Sequence, residues 1–492
     1  MHNLDFFSYY YVGDSMKLGV FFRDKIKYDS CINDLVNNSK NVKAKDVYYC
    51  CELNHQKGIN YINEAIKNGA KAIVLPLIYE SVIDESNQVN YIFREDVALS
   101  YARDLYKLYN YIFKKIKVIS VTGTNGKTTV TTLLYKYFRS NNINASLVGS
   151  NGNYVMDTYY PTQNTTDDIY TIYSLLKESY EKNVKYFIME ASSHGIKGLR
   201  IKSIPIALSI YTNLTLDHLD YHITMDDYKY TKLLHLKDSQ KVILNKDDEN
   251  YKLFSKYLDN YVTYGRNKSN YSINSELINV NQSRFNFSVN GQESYYFITN
   301  LLGKFNIDNT VAFLSALFEL NLFDYGRTYT FLKNFTSISG RMEYFNLGDN
   351  HYYIDFAHTP DGVKNVLSFL NSIKKNRIIT VIGCGGSRDK LKRKLIGEIS
   401  SNLSDVVIYT TDNPRDEDEE EIINQIIEGV KKSNYIKIIS RSEAIDKAID
   451  IASKDDIIAI LGKGNEEFII KRNVKLPYND KTYLLSKFKE VK

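Results

Sequence analysis

The sequence predicts an α/β protein of three domains: a small amino-terminal α/β domain, a central parallel sheet built around a glycine-rich turn, and a carboxy-terminal doubly wound, Rossmann-like domain. Three observations carry that expectation. At 492 residues the chain exceeds one ordinary core, since domains run to roughly 100–200 residues. Apolar strands alternate with helix-forming segments in two long stretches, which is the pattern of a parallel sheet covered by helices. Strand and helix patterns restart near residues 116 and 337, which divides the chain into 1–115, 116–336 and 337–492.

In the first domain, Asp46-Val47-Tyr48-Tyr49-Cys50 and Lys71-Ala72-Ile73-Val74-Leu75 read as strands, with a helix between them over 61–69. The central domain opens with the strand KVISVTG, a glycine turn and a helix from Lys127. Strands YFIME and IALSIYTN follow, ending at Glu190 and Asn213. Alternating segments RFNFSVNG and YYFITN predict an antiparallel ribbon at the sheet edge, ahead of helices over 306–320 and 329–335. The last third restarts with HYYIDFAHT, RIITVIGCGG, DVVIYTTDN, YIKIIS and DIIAILGKG. Each apolar strand there runs into a polar or glycine turn.

Composition excludes several classes. Lys and Arg total 63 against 58 Asp and Glu, a net +5 spread along the chain, so nucleic acid is not an expected partner. Cys31, Cys50, Cys51 and Cys384 form no metal-spaced cluster and suit a reduced, cytoplasmic compartment. The start MHNLDFFSYYYVGDSMKLGV lacks an export leader's basic and apolar regions, and no run of about 18 apolar residues predicts a membrane span. The 42 tyrosines are expected to pack half-buried with their hydroxyls bonded, without a chemical role. A monomer is expected.

Residues 118–122 run into Gly123-Thr124-Asn125-Gly126-Lys127-Thr128-Thr129, and a helix-forming stretch follows at once. Strand, turn and helix are the context of a phosphate-binding loop. Glycines let backbone N–H groups reach the phosphates, the helix start attracts negative charge, Lys127 meets the terminal phosphate oxygens and Thr128 can reach Mg²⁺. Two further strands end at the same sheet edge. Glu190 is followed by Ala191-Ser192-Ser193-His194-Gly195, and Asn213 by Asp217-His218-Leu219-Asp220-Tyr221-His222. Carboxylate and imidazole therefore gather beside the loop, as a metal-assisted reaction requires.

The usual G-x-x-x-x-G-K spacing is absent, because position 121 is Val, and Gly-Thr-Asn-Gly-Lys-Thr-Thr resembles the ATP loop of the Mur ligases and of their relatives the folylpolyglutamate synthetases. The resemblance extends to the strings after Glu190 and Asn213. It implies that Glu190 and His218 hold Mg²⁺, two ions in all, with Lys232 as an N6-carboxylysine completing the set; Lys127, Glu190, His218 and Lys232 form the catalytic group. A buried amine of lowered pKa suits carbamylation, because only the neutral form takes up CO₂. In Leu302-Gly303-Lys304-Phe305-Asn306-Ile307-Asp308-Asn309 the likeness implicates Asn306 and Asn309 on the adenine side. Arg341 in Ser339-Gly340-Arg341-Met342-Glu343, and Asp355 and His358 in Asp355-Phe356-Ala357-His358-Thr359-Pro360-Asp361-Gly362, would face ATP across a domain cleft. Thr359-Pro360-Asp361 also reads as a helix cap.

The same resemblance carries the substrates. Asn164-Thr165-Thr166 with Ser192 and Arg200 resembles the acceptor pattern of the branch that adds the third peptide residue. Ser39, His55, Gln56 and Lys57 fall where that branch holds the uridine diphosphate of a UDP-muramoyl dipeptide. The chain departs at Asn38-Ser39-Lys40, where the family has Asp-Ser-Arg, and at Gly198, where a glutamine is common. In the last domain Gly383-Cys384-Gly385-Gly386-Ser387-Arg388-Asp389-Lys390 precedes Asp412-Asn413-Pro414-Arg415, the signature of the diaminopimelate-adding branch. Arg415, joined by Arg388, would bind the distal carboxylate through parallel hydrogen bonds, with Asp412, Asn413, Pro414, Gly462 and Glu466 around the distal ammonium. The family's Gly-Lys-Gly-His-Glu is Gly462-Lys463-Gly464-Asn465-Glu466 here. The acidic run after Arg415 reads as a solvated first helical turn.

The resemblance thus implies an ATP-dependent, amide-forming ligase of peptidoglycan precursor synthesis with small-molecule substrates. Lanthionine or L-lysine as the incoming amine, or an inactive Mur-like scaffold, are the alternatives. Lysine has no distal carboxylate for Arg415, whereas lanthionine has one.

Overall fold

The structure, a computed structural model, describes residues 16–489 apart from 25, 84–86, 163 and 473. Most of the stretch read as lacking an export leader, 1–15, lies outside the described residues. Among those described, no helix is long and apolar enough to cross a membrane.

The protein is α/β, with its strands gathered in three large sheets. The first is a four-stranded parallel sheet of Leu35–Val36, Val47–Tyr49, Ala72–Pro76 and Asn90–Arg94 in that order. The outer two strands escape sequence patterning, the first because two residues show no period. The helix His55–Lys67 starts six residues before position 61, because Asn54 caps it by accepting from Lys57 N at 3.1 Å. Gly58 lets this first turn lie against the Tyr79 ring, since an added Cβ would sit 1.9 Å from the Tyr79 hydroxyl oxygen.

The central sheet has eleven strands. Lys117–Thr122 lies in its middle, between Tyr186–Glu190 and Ile206–Tyr211, all parallel. Register places Val121 opposite Glu190 and Thr122 opposite Tyr211, so the three carboxyl ends open at one level. Val242–Asn245 and Tyr261–Gly265 continue the parallel half. Tyr271–Ile278, Ser283–Val289 and Glu293–Thr299 then form the antiparallel edge expected from their alternation. Helices Lys127–Ser140 and Lys304–Glu319 pack with this sheet through Val121, Leu133, Leu134, Ile188, Ile210, Val311 and Leu314, all fully enclosed. Removing that much apolar surface from water, at roughly 25 cal/mol per Å², is the main stabilising term.

The third sheet runs Glu343–Leu347, Asn350–Asp355, Ile457–Leu461, Ile378–Ile382, Val406–Tyr409 and Tyr435–Lys437, parallel except for the first pair. Its central strands are buried on both faces, which is why they read as unbroken apolar runs. Some tyrosines are more deeply buried than the half-burial expected, while others, such as Tyr159 and Tyr230, are exposed. Tyr49, Tyr101 and Tyr211 are enclosed, with hydroxyls donating to Asp104 (2.8 Å), the Leu35 carbonyl (3.0 Å) and Asp248 (2.7 Å). A satisfied hydroxyl removes most of the cost of burying the ring.

The last helix, Asp480–Lys489, is anchored by a wholly buried pair: Arg441 Nε and Nη2 donate to the two Asp480 carboxylate oxygens, each at 2.8 Å. Removing one partner strands a buried charge. Asp480→Ala should therefore destabilise the protein by about 3–5 kcal/mol, measured as the loss in urea or thermal unfolding free energy. A change below about 1 kcal/mol would show that the pair does not anchor the helix.

Candidate active site

The phosphate loop is built by backbone geometry. Gly123 (φ 155°) and Gly126 (φ 89°) leave no room for side chains: an added Cβ would lie 1.8 Å from Thr212 Oγ1 at the first and 2.3 Å from Asn309 Oδ1 at the second. Gly126 immediately precedes the helix Lys127–Ser140, so the N–H groups of its first turn point into the cleft. Lys127 folds back over the loop and donates to the carbonyls of Gly123 and Thr124, both at 2.9 Å. Burial lowers its pKa, and the nearby Glu190 and Asp217 oppose that shift. Thr124 and Thr129 complete the loop beside Asn125, whose N–H donates to Asn213 Oδ1 at 2.9 Å.

Beside the loop stands Glu190, wholly buried. It accepts from Thr128 Oγ1 (3.0 Å), Ser150 N (2.9 Å) and Ser150 Oγ (3.3 Å). Burial pushes its pKa up against the pull of Lys127. His218, in the left-handed region (φ 58°), holds its ring 3.4 Å from Asp217, and burial takes its pKa down to about 3, so the imidazole is neutral at physiological pH. Lys232 is buried behind the loop. Its Nζ donates to the Gly123 carbonyl at 3.1 Å and to Thr122 Oγ1 at 3.3 Å, and desolvation drives its pKa well below the ordinary amine value. Among the described residues no three acidic, imidazole or thiol groups already cluster for a metal. The donors fit Mg²⁺ nevertheless: a buried carboxylate, a hydroxyl and a neutral imidazole meet at the phosphate loop.

A cavity of about 690 Å³ opens above these residues and is lined by Lys127, Thr128, Glu190 and His218, with Asn164, Thr165, Ser192 and Arg200 on one side. Thr166 lies beneath the lining. Its hydroxyl donates to the Glu190 carbonyl at 2.7 Å and its own carbonyl accepts from Arg200 Nη1 at 2.8 Å, so it braces the wall. Ser39, His55, Gln56 and Lys57 do not line this cavity. His55, Gln56 and Lys57 form the first turn of the helix His55–Lys67, with the His55 ring 5.0 Å from that of Tyr79, while Ser39 is buried and donates to Glu64 at 2.5 Å.

On the opposite side Asn306 and Asn309 line the cavity at the start of Lys304–Glu319, linked by a 3.2 Å bond from Asn309 Nδ2 to Asn306 Oδ1. The last domain closes over the loop. Arg341 Nη2 donates to Thr128 Oγ1 at 3.2 Å while its guanidinium stacks 4.4 Å over the Phe356 ring. Asp355 accepts from Met342 N and Ala357 N, both at 2.7 Å, and so spends its carboxylate on shaping this turn. His358 stands 4.0 Å from Asp217, with its pKa lowered to about 4 by burial. Thr359 caps the following helix, accepting from Gly362 N at 3.0 Å.

At the far end lie the diaminopimelate candidates. Arg388 and Arg415 line the cavity, and among the described residues neither guanidinium is within salt-bridge distance of a carboxylate. Arg415 Nη1 donates only to carbonyls, of Gly386 at 2.8 Å and Asn413 at 3.4 Å, and burial together with Arg388 lowers its pKa. Asp412, Asn413, Gly462 and Glu466 face the same space, whereas Pro414 does not line it; its carbonyl abuts Gly386. Burial opposes ionisation of Asp412, but Lys463, Arg441 and Arg415 hold its pKa below the ordinary value. Buried Lys463 donates to Glu466 Oε2 (2.7 Å), Asn413 Oδ1 (3.2 Å) and the Phe468 carbonyl (2.8 Å), which orders this wall.

Ser150 and Lys392 had no sequence signal, whereas Asp361 stood in the string that resembles the family's nucleotide-facing segment. Ser150 holds Glu190, Asp361 accepts from Asn125 Nδ2 at 3.2 Å across the domain boundary, and buried Lys392 reaches Asp217 at 3.7 Å. The acidic run is not simply solvated: Glu417 pairs with buried Arg393 at 2.8 Å, and the helix begins only at Glu419, capped by Asp418.

Comparison with known proteins agrees with this arrangement. Residues 121–317 match the family model of the Mur ligase middle domain, and residues 340–464 that of the Mur ligase glutamate ligase domain. A UDP-N-acetylmuramoyl-L-alanyl-D-glutamate–2,6-diaminopimelate ligase of Clostridium botulinum is 33% identical over 474 residues, 95% of each chain. UDP-N-acetylmuramyl-tripeptide synthetase 2 of Oceanobacillus iheyensis is also 33% identical, covering 93% of this chain and 94% of its own length. A solved structure of a UDP-N-acetylmuramoyl-L-alanyl-D-glutamate–2,6-diaminopimelate ligase superimposes with a TM-score of 0.69 at 27% identity, over 97% of this chain and 99% of its own. With two family models in sequence and full-length relatives at this identity, the chain belongs to the Mur ligase family.

Proposed function

We propose that this protein is the ATP-dependent ligase that joins meso-2,6-diaminopimelate to the D-glutamyl γ-carboxylate of UDP-N-acetylmuramoyl-L-alanyl-D-glutamate, in peptidoglycan precursor synthesis. The observation that carries this reading is the pair Arg388 and Arg415, two guanidiniums with no carboxylate in salt-bridge distance among the described residues, in the same cavity as the phosphate loop. Diaminopimelate brings a second amino-acid head, whose carboxylate answers the arginines and whose ammonium meets Asp412 and Glu466. Lysine would leave the arginines unmatched. The diaminopimelate ligase named among the relatives supports the same substrates.

The γ-carboxylate oxygen attacks the γ-phosphorus of ATP, breaking the bond to the β-phosphate oxygen and giving an acyl phosphate and ADP. The amine nitrogen of diaminopimelate then attacks the acyl carbon, loses a proton and expels inorganic phosphate. Lys127 and the loop N–H groups stabilise the transferring phosphoryl group, and Asn306 and Asn309 hold the base. Arg341, Asp355 and His358 bring the last domain over the nucleotide and keep water from the acyl phosphate. Asn164, Thr165, Ser192 and Arg200, braced by Thr166, orient the muramoyl peptide, and Ser39, His55, Gln56 and Lys57 receive its uridine diphosphate. Thr128, Glu190, His218 and carbamylated Lys232 would hold Mg²⁺, which when bound offsets phosphate charge. No side chain serves as a covalent nucleophile. We place domain limits at 115/116 and 336/337 and read the protein as a cytoplasmic monomer, consistent with its four free cysteines.

Lys127→Ala and Glu190→Gln should each lower dipeptide-dependent phosphate release by at least about 10²–10³-fold, measured with ATP, UDP-muramoyl dipeptide and diaminopimelate. Near-normal turnover in either variant would sink the mechanism. Arg415→Ala should raise KM for diaminopimelate about 10- to 100-fold and collapse its preference over lysine, while KM for ATP holds. A retained preference would remove Arg415 from substrate recognition; the same assay with lanthionine tests the thioether analogue.

A further inference from the structure

Arg393 has no place in the chemistry above, yet its large charged side chain is fully enclosed beside the amine pocket. Its Nη1 and Nη2 donate in parallel to Glu417 Oε2 (2.8 Å) and Oε1 (2.9 Å), and the same two nitrogens reach Gln425 Oε1 (2.7 Å) and the Gly385 carbonyl (3.1 Å). Glu417 in turn accepts from Ser387 N, and its own N–H donates to the Pro414 carbonyl at 3.0 Å. One ion pair therefore ties together two turns far apart in sequence. The first turn carries Arg388 and the second Arg415.

Both turns need holding. Ser387 (φ 51°) and Arg415 (φ 53°) lie in the left-handed region that favours glycine, so each turn is strained where its arginine emerges. The turns also meet directly, through Gly386 N to the Asn413 carbonyl at 2.8 Å and Arg415 Nη1 to the Gly386 carbonyl at 2.8 Å. Two neighbouring guanidiniums repel, and among the described residues no carboxylate lies within salt-bridge distance of either. A bidentate arginine–carboxylate pair has the directional rigidity to hold such a site, which a lysine does not.

We propose that the Arg393–Glu417 pair is the positioning element that fixes the spacing of Arg388 and Arg415, and so sets this ligase's selectivity for an amine bearing a second carboxylate. The inference rests on the diaminopimelate reading of the cleft. Neither Arg393 nor Glu417 lines the cavity, so on this reading their loss acts through the two turns that carry Arg388 and Arg415. Glu417 also offsets the charge of Arg393, so that this buried guanidinium adds little positive charge behind Arg388 and Arg415.

The test uses the full chain with ATP and UDP-muramoyl dipeptide, comparing wild type with Glu417→Gln and Arg393→Lys. Diaminopimelate and lysine are each varied, and thermal unfolding is followed in parallel. In both variants KM for diaminopimelate should rise about tenfold or more, with its preference over lysine falling by a similar factor, while KM for ATP and for the dipeptide stay within about twofold. Wild type without preference for diaminopimelate would overturn the substrate reading itself. A selective wild type whose variants keep that selectivity, or lose kcat and all three KM values together in step with a lowered melting temperature, would overturn the positioning role. Glu417→Asp, which keeps the charge but shortens the reach, should fall between wild type and Glu417→Gln in diaminopimelate KM; equality with Glu417→Gln in every parameter counts against a graded geometric effect.

Discussion

The chain turns from strand to helix at Gly126 with no space to spare, its Cα facing Asn309 while Gly123 faces Thr212. That close approach of bare backbone is the constraint on which the rest of the site is arranged. It brings the first turn of Lys127–Ser140 to the cleft and fixes Lys127 over the loop. It also packs Lys304–Glu319 close enough for Asn306 and Asn309 to share the cavity. The central position of Lys117–Thr122 in an eleven-stranded sheet supplies the stiffness that such a turn needs. The strand Tyr186–Glu190 then delivers Glu190 directly, and Asn213 follows two residues beyond the end of Ile206–Tyr211 rather than ending the strand as its sequence suggested.

Burial also sets the charges. Desolvation drives Lys232 and the partly enclosed His218 toward their neutral forms, while burial pushes the Glu190 pKa up against the pull of Lys127. A buried amine, a neutral imidazole and a carboxylate seeking a partner form a consistent set in that medium. The direction of each shift suits the proposed roles: a lowered amine pKa favours carbamylation and a lowered imidazole pKa favours metal ligation. The low dielectric that imposes these states would also strengthen every contact to a transferring phosphoryl group.

The last domain works through long-range contacts of a different kind. Arg341 to Thr128, Asp361 to Asn125 and Lys392 to Asp217 join it to the phosphate loop and its flanking segment. At its outer end the architecture concentrates cations and then disposes of some of them. Arg393 is matched by Glu417, Lys463 by Glu466 and Arg441 by Asp480, while among the described residues Arg388 and Arg415 have no carboxylate within salt-bridge distance. The proposed selectivity rests on which charges the fold satisfies internally.

The sequence by itself determined the α/β class, the central and last sheets, the phosphate loop, and the short strings holding Glu190, His218, Asp412 and Arg415. Those features are local: strand, turn and helix follow within a few residues, and the strings fall at strand ends that a parallel sheet lines up at one edge. Only the tertiary structure decided the outer strands of the first sheet, the enclosed tyrosines and the pairing of Arg393 with Glu417. It also decided which acidic residue after Arg415 is a buried partner and which is a helix cap. Glu417 and Asp418 are adjacent and alike in any pattern; one meets a guanidinium 24 residues back along the chain and the other a backbone N–H three residues on. Periodicity registers the second kind of contact and is blind to the first, because partners distant in sequence meet only when helices and turns have packed.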